Sequence, residues 1–454
     1  MLTMPSIGPS SSRRRLLQAS AVSLGAGAVG GYLFGTEWFS TEKPTCGGSE
    51  RVTDPYDWPA PRYDFAGTGR APEQSAPKDE LQEQWNVSYT GDSIGQPVIA
   101  GGRVAVVVSE MSSERILTVD LASGEEQWTE LVTTDGHMGQ VDDMGDLVAS
   151  EGDLFYRTHT EDHGLAVAAM SLGTGKRLWV TPVDGGGYGR PAVTGRGNVW
   201  IHERDDETDE SIVTALSADS GDECSSWRVD SPRPNEIYVH DESLYVSTAE
   251  GIVALDRDTG DEQWRTEESA RLQAVTENRV FATNHPGFLI AYQTGSGDEE
   301  WTVESDHYMD GERIPDDPGF KRSESGNSVA RPNYGELAIV GDLMLARERV
   351  HSSHSDRITA FEIETGDEVW QVVPEELSDD DTTVTYTGPV IAGQVAFACE
   401  NRRDGESRLL RIDVSTGEIL ASVEMATIAT GSPSVGRGAV VIPQEDGIIC
   451  YADD

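Results

Sequence analysis

Lysine is scarce in this chain, although acidic residues are abundant. Only four of the 34 basic residues are lysines, while 80 residues are Asp or Glu, so the formal net charge of the 454 residues is −46. So much negative charge repels phosphate groups, which excludes a nucleic-acid binder that works through a basic surface. A surface rich in carboxylates and poor in lysine suits solubility in molar salt, because screening there removes the repulsion between like charges. We interpret the composition as that of a halophilic protein.

Hydrophobic residues and cysteines are also few. Apolar residues make up 37% of the chain. That low fraction, taken alone, would also suit a disordered acidic protein. The apolar residues nevertheless fall in alternating runs of strand length, and ten tryptophans are present, which favours a folded β-protein. The four cysteines, Cys46, Cys224, Cys399 and Cys450, are far apart. Export would permit disulfides, but Cys399 and Cys450 lie in apolar strand runs and suit small core residues, so no pairing is predicted.

The N-terminal region has the pattern of an export signal. Residues 12–18 read Ser-Arg-Arg-Arg-Leu-Leu-Gln and precede a weakly apolar stretch rich in Gly and Ala, residues 19–35. This is similar to a twin-arginine signal, which directs the export of folded proteins. Residues 16–35 are just long enough to span a bilayer if the signal is retained. We predict a signal or membrane anchor over residues 1–45 and a protein that is extracellular or anchored on the outer face of the cell membrane.

The stretch that follows is rich in Pro, Gly and Asp. Residues 46–80 are therefore predicted to be a linker between the membrane surface and a folded domain. A lipid anchor at Cys46 is an alternative, but the Lys-Pro-Thr sequence before it does not resemble a lipobox.

A repeat recurs seven times in residues 81–454. Each copy has an alternating apolar strand, a turn ending in Ser-Gly or Thr-Gly, and a short strand with a large apolar residue. Glycine at the end of the turn supplies the left-handed backbone that a short hairpin loop needs. The turn glycines are Gly124, Gly175, Gly221, Gly260, Gly297, Gly366 and Gly417.

A tryptophan follows the turn glycine by four residues in five copies. In the third copy it is delayed by two residues, and in the seventh Ala421 takes its place. Each ring projects from one side of its strand, so we predict that it fills the gap between one sheet and the next. With one further tryptophan near the N-terminus, the repeat tryptophans are Trp85, Trp128, Trp179, Trp227, Trp264, Trp301 and Trp370.

The spacing of the turns predicts the fold. The shortest interval between turn glycines, 37 residues, has room for four short strands, and repeats of that size made only of strands indicate a β-propeller. In the fourth copy the predicted strands are residues 236–240, 244–248, 251–256 and 262–266. Trp85 lies in a fourth-strand pattern with no strands before it, whereas residues 447–453 match a third strand with no fourth after it.

These two halves complete one another. The fold class predicted is all-β, an eight-bladed β-propeller of four-stranded antiparallel blades over residues 81–454. The N-terminal strand closes the last blade, which removes the open sheet edges.

The repeat resembles a known family. Residues 254–264, Ala-Leu-Asp-Arg-Asp-Thr-Gly-Asp-Glu-Gln-Trp, are similar to the repeat Ala-Leu-Asp-x-x-Thr-Gly-x-x-x-Trp of the pyrroloquinoline-quinone-like (PQQ-like) propellers. Residues 58–64, Trp-Pro-Ala-Pro-Arg-Tyr-Asp, with Thr68-Gly69, resemble the opening of exported halophile members. The resemblance implies the fold for residues 58–454. It leaves two functions open, because the family includes quinoprotein dehydrogenases and non-catalytic scaffolds such as the propeller lipoprotein of the outer-membrane assembly machinery.

Long loops are concentrated on one predicted face of the propeller. The connections between the second and third strands of a blade lie on the same face as the connections between blades. These are the longer, charged connections here, including an insertion over residues 305–332, and binding usually resides in such loops. The alternative is that these loops vary because nothing constrains them. Candidate binding residues on this face are Arg190, Tyr308, Arg322, Arg349, His351, His354, Arg402 and Arg403.

No motif of a catalytic or metal site is evident. The loop histidines at positions 159, 163, 351 and 354 lack the fixed spacing of a strong metal site. The turn that begins at Asp256 places its glycine one position too early for a calcium loop and has no Glu at the twelfth position. No Gly-x-Ser-x-Gly elbow and no phosphate-binding loop is present.

The resemblance implies how a quinone would be held. Quinoprotein dehydrogenases of the family hold PQQ under adjacent cysteines, with calcium and a catalytic Asp on long insertions, but no two cysteines are adjacent here. We therefore predict a non-catalytic binding or assembly scaffold, with no metal and no cofactor, whose partners are proteins of the cell envelope. The alternative is a PQQ- and calcium-dependent dehydrogenase acting on alcohols or sugars.

Overall fold

A computed structural model describes most of the chain beyond residue 53. The described residues are 54–78, 80–89, 91, 93–110, 113–134, 147–160, 164–183, 192–193, 197–205, 207–208, 210–284, 287–304, 308–309, 312–313, 334–350, 355–374, 383–402 and 407–453. The predicted signal or anchor, residues 1–45, lies outside them. Within the described part of the chain, no helix is long and apolar enough to cross a membrane.

The strands form eight antiparallel blades, and the first strands of successive blades contact one another all the way round the ring. The eight-bladed β-propeller is therefore confirmed. Blade 1 comprises Ser93–Ile94 with Val98–Ala100, then Arg103–Glu110, Ser113–Asp120 and Glu126–Thr134; blade 2 comprises Val148–Ser150, Asp153–Thr160, Gly164–Ser171 and Arg177–Pro182; blade 3 comprises Ala192–Val193, Asn198–Arg204, Glu210–Ser217 and Glu223–Pro232; blade 4 comprises Glu236–His240, Ser243–Ser247, Ile252–Asp256 and Glu262–Arg265. Blade 5 comprises Ala270–Val275, Arg279–Asn284, Leu289–Gln293 and Glu299–Val303; blade 6 comprises Tyr334–Val340, Leu343–Val350, Ser355–Glu362 and Glu368–Val372; blade 7 comprises Val384–Tyr386 with Val390–Ala392, then Val395–Arg402, Ser407–Asp413 and Ile419–Met425.

Blade 8 joins the two ends of the propeller. Its strands are Ser434–Gly436, Ala439–Gln444, Gly447–Ala452 and, as the fourth, Gln82–Ser88. Trp85 lies opposite Cys450 in this antiparallel pair. The predicted closure by the N-terminal strand is confirmed. The third strand of blade 8 is therefore paired on both sides.

The repeat tryptophans pack between blades, and each ring covers the turn glycine of the next blade. A Cβ atom added to any of the seven turn glycines would lie within 3.0 Å of that ring. The pairs, tryptophan first, are Trp85 and Gly124, Trp128 and Gly175, Trp179 and Gly221, Trp227 and Gly260, Trp264 and Gly297, Trp301 and Gly366, and Trp370 and Gly417. The glycines also have φ between 68° and 75°, as the hairpin turns require.

Hydrogen bonds fix the same interface. The indole N–H of six repeat tryptophans donates to a backbone carbonyl in the neighbouring turn. The acceptors are Leu121 for Trp85 (2.8 Å), Leu172 for Trp128 (2.9 Å), Ala218 for Trp179 (2.9 Å), Thr294 for Trp264 (2.7 Å), Ile363 for Trp301 (3.0 Å) and Val414 for Trp370 (2.9 Å). Trp227 instead stacks on Trp200, with ring centroids 5.2 Å apart.

The N-terminal segment of residues 54–76, which we call the axial cap, runs around the inner strands. Most of its contacts are backbone hydrogen bonds near the end of a first strand, where the turn to the second strand follows. The donors and acceptors are Ile99 to Trp58 and Trp58 to Ile99 (both 2.8 Å), Ala149 to Pro59 (2.7 Å), Val239 to Phe65 (2.9 Å), Val275 to Ala66 (2.8 Å), Ile339 to Thr68 (2.9 Å), Ile391 to Gly69 (2.9 Å) and Gly438 to Ser75 (3.0 Å). In chain order the cap therefore meets blades 1, 2, 4, 5, 6, 7 and 8.

Arg62 reaches across the ring. Three residues before it, the carbonyl of Pro59 accepts from blade 2, whereas the buried Arg62 guanidinium donates to the carbonyls of Leu337, in blade 6, and Pro389 (3.2 Å), in blade 7. Blades 2 and 6 are opposite in a ring of eight, so the stretch from Pro59 to the Arg62 guanidinium crosses the axis. The cap closes the axis on the face of the short turns.

The cap occupies most of the stretch that the sequence predicts to be a linker, residues 46–80. The described residues from position 54 onward instead pack against the propeller, and Trp58 and Ala60 are fully buried. Pro and Gly are common in linkers, but they also allow the tight turns with which this segment follows the ring.

Two of the four cysteines are free. Cys399 and Cys450 are buried as small core residues, whereas Cys224 is disulfide-bonded.

Candidate functional site

The structure describes the side chains of two of the eight candidate binding residues. Arg349 lies near the end of the second strand of blade 6, and Arg402 ends the second strand of blade 7. Tyr308 lies in a two-residue strand, Tyr308–Met309, which pairs with Glu312–Arg313. The others, Arg190, Arg322, His351, His354 and Arg403, lie outside the described residues.

Strand periodicity brings Arg349 and Arg402 to the same gap between blades. Arg347 and Arg349 share a strand face with Leu345, which is buried between blades 6 and 7. On the facing strand Glu400 and Arg402 alternate in the same way with the buried Ala398. Because successive side chains of a strand point to opposite faces, these charged groups line the gap between blades 6 and 7, which we call the blade 6–7 groove.

The arginines of blade 6 are held loosely. The Nε atom of Arg349 lies 3.7 Å from Oδ1 of Asp356. Nη1 of Arg347 lies 3.7 Å from Oε2 of Glu336 and donates to the carbonyl of Tyr386 at 3.4 Å. These distances exceed those of good charge-assisted hydrogen bonds, which are about 2.7–2.9 Å.

Glu400 is the buried anchor of the blade 7 side. It accepts from Nε of Arg402 at 2.9 Å, from both Nε and Nη2 of Arg408 at 3.0 Å, and from the Tyr386 hydroxyl at 3.0 Å. Burial acts to raise the pKa of this carboxyl, but the hydrogen bonds from Arg408 and Arg402 outweigh it and hold the pKa below its usual value. Glu400 is therefore ionised and positions both arginines.

Asp356 has the opposite electrostatic balance. Its side chain is buried beneath Arg349, and it accepts a long hydrogen bond, 3.4 Å, from the backbone N–H of Tyr386. Burial raises the pKa of Asp356 above its usual value, although the charges of Arg347 and Arg349 act to lower it.

The gap between blades 5 and 6 holds a self-contained ion pair instead. Glu348 accepts from Nε and Nη2 of Arg357 at 2.5 and 2.6 Å, from the Thr359 hydroxyl at 2.9 Å and from the Tyr334 hydroxyl at 3.3 Å. With both oxygens of the buried carboxylate engaged, this cluster joins the first three strands of blade 6 to one another and is less suited to binding a ligand.

Sequence reasoning missed most of the groove. The candidates predicted from charged loops do not include four groove residues that lie in strands. These are Arg347, Asp356, Glu400 and Arg408. The usable signal was the alternation itself, since charged residues continue the buried face of a strand beyond its last apolar position.

The described residues offer no metal centre. No group of three or more His, Cys, Asp or Glu side chains among them is placed to hold a metal ion. At Asp256, which begins the repeat turn, the carboxylate accepts from the backbone N–H groups of Asp258 and Thr259 at 2.9 and 2.8 Å, so it is engaged by the turn itself.

The described free cysteines do not form the adjacent pair that the family resemblance implies for a PQQ site. Cys399 and Cys450 are buried in the core on separate strands.

Fold and repeat together define a PQQ-like repeat propeller. The chain belongs to the family described as outer membrane protein assembly factor BamB, whose model matches residues 82–190 and 208–453, more than half of the chain. No curated protein matches the chain.

Solved structures with the same fold include dehydrogenases and a BamB protein. The quinohemoprotein alcohol dehydrogenase from Comamonas testosteroni is 17% identical with a TM-score of 0.61, over 87% of this chain and 80% of that one. BamB from Moraxella catarrhalis is 14% identical with a TM-score of 0.52, over 83% and 98%. A europium-containing methanol dehydrogenase is 15% identical with a TM-score of 0.57, over 86% and 90%. At these identities the likeness establishes the fold alone.

Proposed function

We propose that the protein is a non-catalytic scaffold that binds protein partners through its long-loop face, exported and held at the outer surface of a halophilic cell. The export signal and the acidic, lysine-poor composition support the location. The family match to an outer-membrane assembly factor supports a role in binding other proteins.

The observation that carries the proposal is the difference between the two faces. On the short-turn face the axial cap covers the ends of the inner strands, and the stretch from Pro59 to the Arg62 guanidinium crosses the axis. On the opposite face the blade 6–7 groove presents partly exposed arginines. The long connections and the partly exposed arginines of the groove are thus on one side, where a rigid ring can position them for a partner.

Charge reversal on each face tests this proposal. Glu207 and Glu445 are exposed beside connections of the long-loop face, whereas Glu125 and Glu242 are exposed in turns of the short-turn face. Glu207→Lys with Glu445→Lys and Glu125→Lys with Glu242→Lys change the net charge equally. Each tagged protein is crosslinked in envelope extracts in molar KCl, and the captured proteins are quantified.

We expect the long-loop variant to change the amount of captured partner at least twofold and the short-turn variant to leave it unchanged. Equal changes from both faces would contradict the proposal.

The second candidate, a quinone-dependent dehydrogenase, has the fold likeness to alcohol dehydrogenases in its favour. Adding PQQ and calcium to the purified protein decides it. Appearance of a bound-cofactor absorbance together with dye reduction by alcohols or sugars would replace the scaffold proposal, and neither signal is expected.

A further inference from the structure

Arg349 and Arg402 of the blade 6–7 groove pair with carboxylates that are themselves buried, and Arg347 lies on the same strand face as Arg349. The side chains of Arg347, Arg349 and Arg402 are 34%, 32% and 23% exposed. Asp356 and Glu400, which hold two of them, are 4% and 1% exposed. A ligand that approaches this groove therefore meets cations first, on a protein whose formal net charge is −46.

Exposed carboxylates lie at the margins of the groove. Glu336, which pairs with Arg347, is 41% exposed, and Glu424 lies opposite Arg408 at the outer edge. The central part, between Arg349 and Arg402, has its carboxylates beneath the guanidinium groups.

The guanidinium groups keep donors available. A guanidinium carries five N–H donors. Arg402 uses Nε toward Glu400, and Arg349 approaches Asp356 through Nε. In the described part of the chain, the Nη groups of these two arginines have no hydrogen-bond partner. Those are the donors that form paired bonds to a carboxylate.

Spacing along the strand favours an extended ligand. Arg347 and Arg349 are alternate residues of one strand, so their side chains leave the same face roughly 7 Å apart. Carboxylates on alternate residues of an extended peptide have the same separation. A single small anion matches one guanidinium, whereas an extended acidic segment matches both and reaches Arg402 across the groove.

We propose that the blade 6–7 groove binds an extended, acidic peptide segment of a protein partner through guanidinium–carboxylate pairs. This inference rests on the proposed scaffold function and names the chemistry of its partner. Partly buried pairs are screened less than exposed ones, so the groove retains its selectivity in the salt that this acidic protein requires.

A peptide titration tests the groove directly. A fluorescein-labelled hexapeptide, Glu-Ser-Glu-Ser-Glu-Ser, and its counterpart with Gln in place of Glu are titrated into the full chain in molar KCl, with fluorescence anisotropy as the signal. We expect the Glu peptide to bind at least tenfold more tightly than the Gln peptide. Arg349→Ala with Arg402→Ala should weaken it by about 100-fold, since each charged hydrogen-bonding group contributes about tenfold.

Two further variants separate the groove from general charge. Arg115 and Arg233 are exposed arginines elsewhere on the long-loop face, and Arg115→Ala with Arg233→Ala should leave the affinity unchanged. Arg349→Lys with Arg402→Lys keeps the charge but not the planar fork, so it should recover part of the binding. Unchanged circular dichroism and unfolding temperature verify that each variant is folded.

Several outcomes would overturn the inference. These are no binding of the Glu peptide, equal binding of both peptides, equal losses in the two alanine variants, or displacement of the peptide by inorganic phosphate at equimolar concentration, which would indicate a simple anion site. If the peptide test fails while partner capture still depends on the long-loop face, the inference falls and the scaffold proposal stands. Capture that depends equally on both faces removes the scaffold proposal, whatever the peptide result.

Discussion

A turn glycine and a tryptophan of the preceding blade form the packing unit of this ring. Gly297 illustrates both demands on the turn: its φ is +72°, and an added Cβ would lie 2.5 Å from the ring of Trp264. The same logic explains the exception in blade 7. Ala421 replaces the tryptophan there because blade 8 has no turn between its third and fourth strands: the third strand is Gly447–Ala452, and the fourth, Gln82–Ser88, comes from the other end of the propeller.

Three glycine substitutions separate the need for a positive φ from the need for space beside the tryptophan ring. Gly341 has φ +56° with open space around it, and Gly295, two residues before Gly297, has neither a positive φ nor a close neighbour. We expect Gly295→Ala to be nearly neutral, Gly341→Ala to cost about 1 kcal/mol from backbone strain and Gly297→Ala to cost about 3 kcal/mol because overpacking adds to the strain. Urea unfolding in molar KCl measures the order; equal effects at Gly341 and Gly297 would exclude the contribution of the ring.

Two carboxylates of the blade 6–7 groove should respond to pH in opposite directions. The folded-state pKa of Glu400 is below its usual value of 4.5, so its stabilisation is present above that pH and is lost as the pH falls through the folded-state pKa. The pKa of Asp356 is raised from 3.8, so its ionisation destabilises the fold as the pH rises through the folded-state pKa.

Unfolding temperatures from about pH 3 to pH 7 in molar KCl check this contrast. We expect Glu400→Gln to be less stable than the parent protein at neutral pH, with the difference shrinking in acid, and Asp356→Asn to be slightly more stable at neutral pH. A destabilised Asp356→Asn would show that its pairing with the arginines outweighs the cost of burial.

Among elements of the structure, strands were predictable from sequence and the axial cap was not. In blade 4 the predicted strand 236–240 agrees with the observed Glu236–His240, the second strand is shifted by one residue, and the third and fourth differ by one residue at one end. Successive side chains of a strand point to opposite faces, so an alternation of apolar and polar residues reveals the strand in the sequence. The cap has no period, because it follows the inner strands of seven blades through backbone carbonyls and turns. Trp58 and Arg62 lie in a stretch whose Pro- and Gly-rich composition is typical of a linker. Their burial depends on the ring around them, which the local sequence does not show.

Arg62 provides a test of the cap as a structural element. Arg62→Ala would leave the carbonyls of Leu337 and Pro389 without this donor, and we expect a loss of about 3 kcal/mol in the free energy of unfolding. Arg70→Ala, at an exposed position of the same segment, should change it by less than about 0.5 kcal/mol. Urea unfolding and limited proteolysis near residue 54 report the effect, and similar losses in both variants would contradict a special role for Arg62.

For the whole molecule, the sequence predicted the ring and its closure but only part of the groove. The blade number followed from seven turns and two complementary ends. Arg349 and Arg402 were found through loop charge, whereas their buried partners Asp356 and Glu400 depend on which strand faces meet across a gap. That information arises only when two blades pack.

Salt should control the stability of the ring. A formal net charge of −46 is screened over about 3 Å in 1 M salt but over about 30 Å in 0.01 M salt, so we expect the unfolding temperature to fall steeply on dilution of KCl. Glu125→Gln with Glu242→Gln, two exposed positions, should recover a small part of the loss at low salt and change little in molar KCl. An unfolding temperature independent of salt would refute this explanation of the acidic composition.

The closure of blade 8 also determines when the ring can be completed. Gln82 pairs with Ala452, and the axial cap contacts strands from blade 1 to blade 8, so the first part of the propeller to be synthesised waits for partners that emerge last. Contacts of such long sequence separation form slowly. Until the final strand is available, the innermost turns stay uncovered and the edges of blades 7 and 8 stay open to pairing with other chains. A truncation of a few C-terminal residues should therefore act as a folding defect of the whole ring rather than as the loss of one strand.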